Sequence, residues 1–128
     1  MVEKGAMDLV KEAKQQVENL TPEQVASEVE SGDAVLVDLR EPQERENGVI
    51  PGAMSAPRGM LEFYADPSLP YHKEELQRDR RVILHCASGG RSALAAKTLK
   101  EMGYTNVAHL DGGIKAWQEA GQPVEQPR

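Results

Sequence analysis

The chain has a single cysteine, and the residues around it are those a reactive thiol needs. Cys86 follows the short apolar run Val82-Ile83-Leu84 and opens the loop Ala87-Ser88-Gly89-Gly90-Arg91-Ser92. A helical pattern follows at once, with Ala93, Leu94, Ala95, Ala96 and Leu99. Only the thiolate attacks well, so a nucleophilic cysteine needs surroundings that favour the anion. Three features do so here. The helix after the loop presents unpaired N–H groups and a partial positive charge. Gly89 and Gly90 let the backbone bend until successive N–H groups point inward as an anion nest. Arg91 adds a full charge or clamps the loop from outside, and Ser88 and Ser92 offer hydroxyl donors. Such a cradle suits a thiolate, a persulfide or a small oxyanion, and it stabilises charge that develops during group transfer.

The elements that must position this loop read as alternating strands and helices. Residues 6–19 carry Met7, Val10, Lys11, Lys14 and Val17 at helical spacing, a thin amphipathic face. Thr21-Pro22-Glu23-Gln24 begins a second helix, with a hydroxyl at the N-cap, proline next and glutamine three residues on. Val25, Ala26 and Val29 form its buried stripe and Gly32 ends it. Residues 34–39 form a nearly continuous apolar strand of the kind buried in parallel sheets. Residues 47–53 read as turns around a short strand or connector. Pro57, Gly59, Pro67 and Pro70 break up residues 55–80, where short helices are expected near 58–64 and 72–77. A strand over 81–86, a helix over 92–102 stopped by Gly103, a strand over 106–110 and a helix over 114–120 complete the pattern. Strands alternating with helices predict an α/β domain with a parallel sheet, whose sites form beyond the carboxyl ends of the strands. Cys86 lies at such an end.

The bulk properties narrow the function. At 128 residues the chain is expected to form one domain able to bury a core without staples. The formal net charge of -6 disfavours nucleic acid as a partner. No stretch reaches a membrane span, and residues 1–20 lack a signal-type apolar core. One cysteine excludes an internal disulfide and suits a reducing compartment, so a cytoplasmic location is expected. His72, His85 and His109 show no metal-ligand spacing with Cys86, and no metal or organic cofactor is expected.

Three separated segments together resemble the single-domain rhodaneses, a family of sulfurtransferases. They are Leu36-Val37-Asp38-Leu39-Arg40-Glu41-Pro42 with Gly48-Val49-Ile50-Pro51-Gly52-Ala53, the loop from Cys86 to Ser92, and Asp111-Gly112-Gly113-Ile114-Lys115-Ala116-Trp117 with the Ala120-to-Val124 tail. The resemblance spans about residues 20–125. It implies a rhodanese-like three-layer α/β domain, a mostly parallel central sheet flanked by helices, over residues 21–128. Residues 1–20 are then an N-terminal helical extension. It also implies a Cys86 persulfide, charged by a donor such as thiosulfate and discharged to cyanide, glutathione or a protein thiol. The relatives usually carry histidine where this chain has Val49, a change that touches packing more than catalysis. Certain dual-specificity phosphatases share the fold but place five residues between cysteine and arginine. Here four intervene, Ala87 to Gly90, a cradle better sized for one sulfur atom than for phosphate.

Cys86 and Arg91 are therefore the expected catalytic pair, with Ala87, Ser88, Gly89, Gly90 and Ser92 as the binding loop. Arg40 and Arg58 are expected at the pocket mouth, where they attract an anionic donor or form ion pairs. Asp38 is expected to accept backbone hydrogen bonds and hold loops in place. His85 reads as a strand-end residue with its hydrogen bonding satisfied, Trp117 as the packing anchor of the last helix, and Arg78, Arg80 and Arg81 as a solvated strand entry. Two other readings stay open. One is a relay or non-catalytic rhodanese module that takes persulfide from a protein partner. The other is a phosphatase or arsenate reductase. The oligomeric state is not legible.

Overall fold

A computed structural model describes residues 3–127. The first two residues of the expected extension and the last residue of the expected domain lie outside the described residues. The elements run α1 (Ala6–Gln16), β1 (Glu18–Leu20), α2 (Pro22–Ser31), β2 (Ala34–Asp38), α3 (Pro42–Arg45), β3 (Met54–Ser55), a 3₁₀ turn (Arg58–Met60) into α4 (Leu61–Ala65), β4 (Arg81–His85), α5 (Gly90–Glu101), β5 (Val107–Leu110) and α6 (Gly113–Glu119). All five strands are parallel, in the order β1-β5-β4-β2-β3. Helices cover both faces, which gives the α/β three-layer architecture.

The layers follow from period-two alternation along the strands. Val37, Val82, Leu84 and Val107 face one side and pack with Leu61, Ala95 and Leu99 of α4 and α5. Leu36, Ile83, Ala108 and Leu110 face the other and pack with Val25 of α2 and with Ile114 and Trp117 of α6. The cap of α2 forms as its sequence demands: the Gln24 N–H donates to Thr21 Oγ1 at 3.2 Å, and the Thr21 N–H donates to Gln24 Oε1 at 2.9 Å. Gly32 ends the helix in the left-handed region at φ 81°. Trp117 anchors α6, and its indole N–H donates to the Pro123 carbonyl at 2.8 Å. Val49 is buried, and its backbone bridges Glu125 of the C-terminal segment.

Two expectations about secondary structure are corrected. The first helix stops at Gln16, three residues short of the expected end, and 18–20 become an edge strand on β5. The Asn19 side-chain amide donates to the carbonyls of Lys14 and Val17 at 2.9 and 3.1 Å, which satisfies acceptors that the helix end leaves open. The helix itself docks, burying Val10 and Ala13 against Ala93 of α5. No helix forms over 72–77. Buried Leu76 is instead held in a series of turns, where the Tyr104 hydroxyl bonds the carbonyls of Ala65 and Leu76 at 2.8 and 3.1 Å. Among the described residues no helix is long and apolar enough to cross a membrane.

Candidate active site

Cys86 is the first residue beyond β4, and α5 begins four residues later at Gly90. The thiol is only 1% exposed. Its sulfur accepts the Gly89 N–H at 3.1 Å and lies 3.6 Å from Ser92 Oγ. Gly89 takes the left-handed conformation at φ 103°, which turns its N–H onto the sulfur and makes it the N-cap of α5. The carbonyls of the loop point the other way. Those of Cys86 and Ala87 accept the N–H groups of Ile114 and Lys115 at 2.9 and 3.1 Å, so the start of α6 braces the loop from behind. This explains the Gly112-Gly113 pair. A Cβ on Gly113 would lie 2.4 Å from the Ala87 carbonyl oxygen and 2.6 Å from that of Cys86. One on Gly89 would lie 3.0 Å from the Gly112 nitrogen.

Arg91 clamps the loop from outside. Its guanidinium makes a two-pronged pair with Glu44 of α3, at 2.8 and 2.9 Å. The pair holds the Glu44 carboxyl down at about 2, with burial opposing, and binds the Arg91 proton more firmly. Ser88 stands exposed at the loop tip, Ala87 and Gly90 are half-buried, and Ser92 is buried.

Arg40 is not at a pocket mouth. It is 4% exposed, and its guanidinium grips Asp38 at 3.0 and 2.9 Å and the carbonyls of Glu44 and Gly48 at 3.2 and 2.9 Å. Charge and donors are consumed inside the fold, because the buried Asp38 carboxylate needs them. Asp38 itself accepts the Arg40 N–H at 3.0 Å and the Arg45 guanidinium at 2.9 Å, so it ties β2 to the segment carrying α3. Burial pushes its carboxyl up, but the Arg40 hydrogen bonds and the nearby His85 and Arg40 charges outweigh this and hold it below its ordinary value. Arg58 is partly exposed and pairs with Glu62 at 2.8 Å. Arg81 pairs with Glu28 and Glu18 rather than standing solvated, at 2.8 and 2.7 Å. His85 is satisfied at one nitrogen only. Its Nδ1 lies 3.2 Å from the Cys86 carbonyl, while buried Nε2 has no hydrogen-bond partner and lies 3.7 Å from Asp38 Oδ2. Burial pushes this imidazole below its ordinary value, with Asp38 opposing.

Two residues near the thiol escaped the sequence reading. His109 Nδ1 lies 2.9 Å from Ser92 Oγ, and its Nε2 lies 2.7 Å from Asn19 Oδ1. The available signal was a histidine inside an otherwise apolar strand, Val107-Ala108-His109-Leu110. Beside the loop lies a cavity of about 460 Å³, walled by Met7, Val10, Lys11 and Lys14 of α1 and by Ser88 to Gly90.

A buried thiol at the carboxyl edge of a parallel sheet, held by a backbone N–H at a helix N-terminus, defines a cysteine-loop α/β domain suited to holding a sulfur-centred anion. The chain belongs to the rhodanese-like domain family, whose profile matches residues 21–120. It is 38% identical over 95 residues to a sulfurtransferase of Allochromatium vinosum, covering 74% of this chain and 81% of that one. Among solved structures, a Rhodopseudomonas palustris protein of unknown function, described as a possible tyrosine phosphatase, superposes with a TM-score of 0.90 at 45% identity. That match covers 98% of this chain and 97% of the other. The thiosulfate sulfurtransferase of Pseudomonas aeruginosa superposes with a TM-score of 0.78 at 29% identity, over 96% of this chain but only 23% of that longer one.

Proposed function

We propose that the protein is a sulfurtransferase that carries sulfane sulfur as a persulfide on Cys86. The thiolate attacks the outer sulfur of thiosulfate, the S–S bond of the donor breaks, and sulfite leaves with its electron pair. The product is Cys86-S-S⁻, its charge received by the Gly89 N–H and the N-terminus of α5. A cyanide ion or an acceptor thiolate then takes the outer sulfur and returns Cys86 as thiolate. The cycle is two-step covalent catalysis with no redox partner. The observation that carries this reading is the short cradle itself, with a 3.1 Å N–H contact on the sulfur and four residues between Cys86 and Arg91. The sulfurtransferase relatives add support. In this reading residues 21–128 form the transferase domain and residues 1–20 the extension, whose Lys11 flanks the cavity beside the loop and favours an anionic donor, while Lys14 there is paired with Asp111. The lone cysteine suits the cytoplasm. A protein donor or acceptor docking at this cavity fits the same chemistry.

The phosphatase description of the R. palustris neighbour keeps a second reading alive. Against it, Arg91 spends two guanidinium nitrogens on Glu44, the nitrogens a phosphate would need. Steady-state kinetics separate the two. Parallel double-reciprocal lines for thiosulfate and cyanide, lost in Cys86→Ser, support sulfur transfer. Hydrolysis of an aryl phosphate, lost in the same variant, overturns it.

A further inference from the structure

Behind the loop, a line of polar groups runs from the buried sulfur out to exposed Asn19: Cys86 Sγ, Ser92 Oγ, His109 Nδ1, His109 Nε2 and Asn19 Oδ1, with successive contacts of 3.6, 2.9 and 2.7 Å. Cys86, Ser92 and His109 are buried in the core. The direction of every hydrogen in the line is determined. Asn19 spends its NH₂ group on the carbonyls of Lys14 and Val17, so Oδ1 is the atom facing His109. His109 Nε2 must therefore carry the hydrogen, which leaves Nδ1 as an acceptor. Ser92 has one hydrogen, and the 2.9 Å contact to Nδ1 takes it in preference to the 3.3 Å contact to the Gly89 carbonyl. The Ser92 oxygen then faces Cys86 with lone pairs, and the thiol donates to it.

We infer that Ser92 and His109, held in register by Asn19, form a relay that accepts the proton of the Cys86 thiol as the nucleophile is made. The step balances: the S–H proton passes to Ser92 Oγ while the Ser92 hydroxyl proton passes to His109 Nδ1. The products are a thiolate and an imidazolium. Afterwards the Ser92 O–H donates to the sulfur, His109 Nδ1–H donates to Ser92, and Nε2–H still donates to Asn19, so no group in the line loses its partner. No water molecule has to enter the buried site to carry the proton out.

Asn19 lies just ahead of the residues matched by the family profile, so the segment before the domain completes the line. The charged groups around it are few. The Lys14–Asp111 pair, 2.8 Å apart, stands beside His109, and Arg91 with its Glu44 partner stands beside Cys86. Burial pushes His109 down to about 4, with Asp111 opposing and Lys14 adding to the shift. The resting imidazole is therefore neutral and only weakly basic, so the imidazolium forms transiently, stabilised by the thiolate charge beside it, and returns the proton when the thiol re-forms.

The relay rests on Cys86 being the nucleophile, but its test needs no sulfur donor. The second-order rate of Cys86 alkylation by iodoacetamide is measured from about pH 6 to about pH 10 in the wild-type chain, His109→Asn and Asn19→Ala. His109→Asn keeps an acceptor for Ser92 but cannot take its proton. Asn19→Ala, at an exposed strand position, removes the acceptor of His109 Nε2 together with the two hydrogen bonds to the Lys14 and Val17 carbonyls at the end of α1. A relay predicts a loss of about 100-fold at the acid end, the low end of what a positioned proton acceptor contributes. The loss vanishes at the alkaline end, where hydroxide removes the proton directly. A rate that is unchanged, or lowered equally at every pH, overturns the relay. A relay that passes alongside absent thiosulfate chemistry would fault the sulfur-transfer reading alone.

Discussion

Gly113→Ala tests how the loop is built. Gly113 sits at φ 63°, and a Cβ there would meet the Ala87 carbonyl oxygen and carbon at 2.4 and 2.5 Å and the Cys86 oxygen at 2.6 Å. All three are backbone atoms, and the two oxygens are held by α6 hydrogen bonds, so no side chain can swing aside. Holding a non-glycine residue in the left-handed region costs about 1–3 kcal/mol. Forcing atoms into a packed site adds about 1–3 kcal/mol more. The sum is roughly 4 kcal/mol, which at this size lowers the melting temperature by about 15 °C. Gly121→Ala is the matched control. Its φ is 78° but no atom lies within 4 Å of the added methyl, so only the conformational cost of about 1–3 kcal/mol applies. Urea unfolding of both variants measures the difference. A Gly113→Ala protein no less stable than Gly121→Ala refutes the claim that α6 braces the loop by direct contact. A folded Gly113→Ala protein is also expected to alkylate at Cys86 more slowly, because the Gly89 N–H moves off the sulfur.

Three further outcomes follow from the charged groups. Arg40→Ala strips a buried carboxylate of its main partner. Breaking a buried pair costs about 3–5 kcal/mol, and the surviving Arg45 contact places this one near the lower end, as equilibrium unfolding would read. Glu44 is expected to titrate near 2 when followed by carboxyl NMR and to return toward the usual carboxylate range in Arg91→Ala. Because its folded value is depressed, the pair's stabilisation is full at neutral pH and fades as pH falls toward 2. Since both side chains are about one-third exposed, that stabilisation is under about 1 kcal/mol. His109 works in the same direction by another route. Its folded value of about 4 lies below the unfolded one, so the unfolded chain binds the proton first. Stability then drops by about 3 kcal/mol as pH falls from about 6.5 to 4, a drop that His109→Asn reduces in urea titrations at stepped pH.

The parts of this site readable in the sequence were those set by local rules. The Cys86 loop lies between a β-branched apolar run and a helical period, and the α2 cap needs only four consecutive residues. What stayed hidden depends on contacts distant in sequence. Asn19 and His109 are 90 residues apart and meet only because β1 pairs with β5. Three residues, Glu18 to Leu20, carry no strand period of their own, so the helical pattern before them ran on in the reading. Arg40 looked like a solvent-facing cation because nothing local shows that Asp38 is buried and must be neutralised. The same applies to Leu76, which is buried by a core cluster of residues distant in sequence, Tyr104 among them, rather than by any helix around it.

The central claim is that Cys86 carries sulfur. Intact mass after thiosulfate treatment, without reducing agent, tests it most directly. The wild-type chain is expected to gain one sulfur atom, lose it to cyanide with release of thiocyanate, and show no gain in Cys86→Ser. A wild-type chain whose mass is unchanged by thiosulfate contradicts the claim.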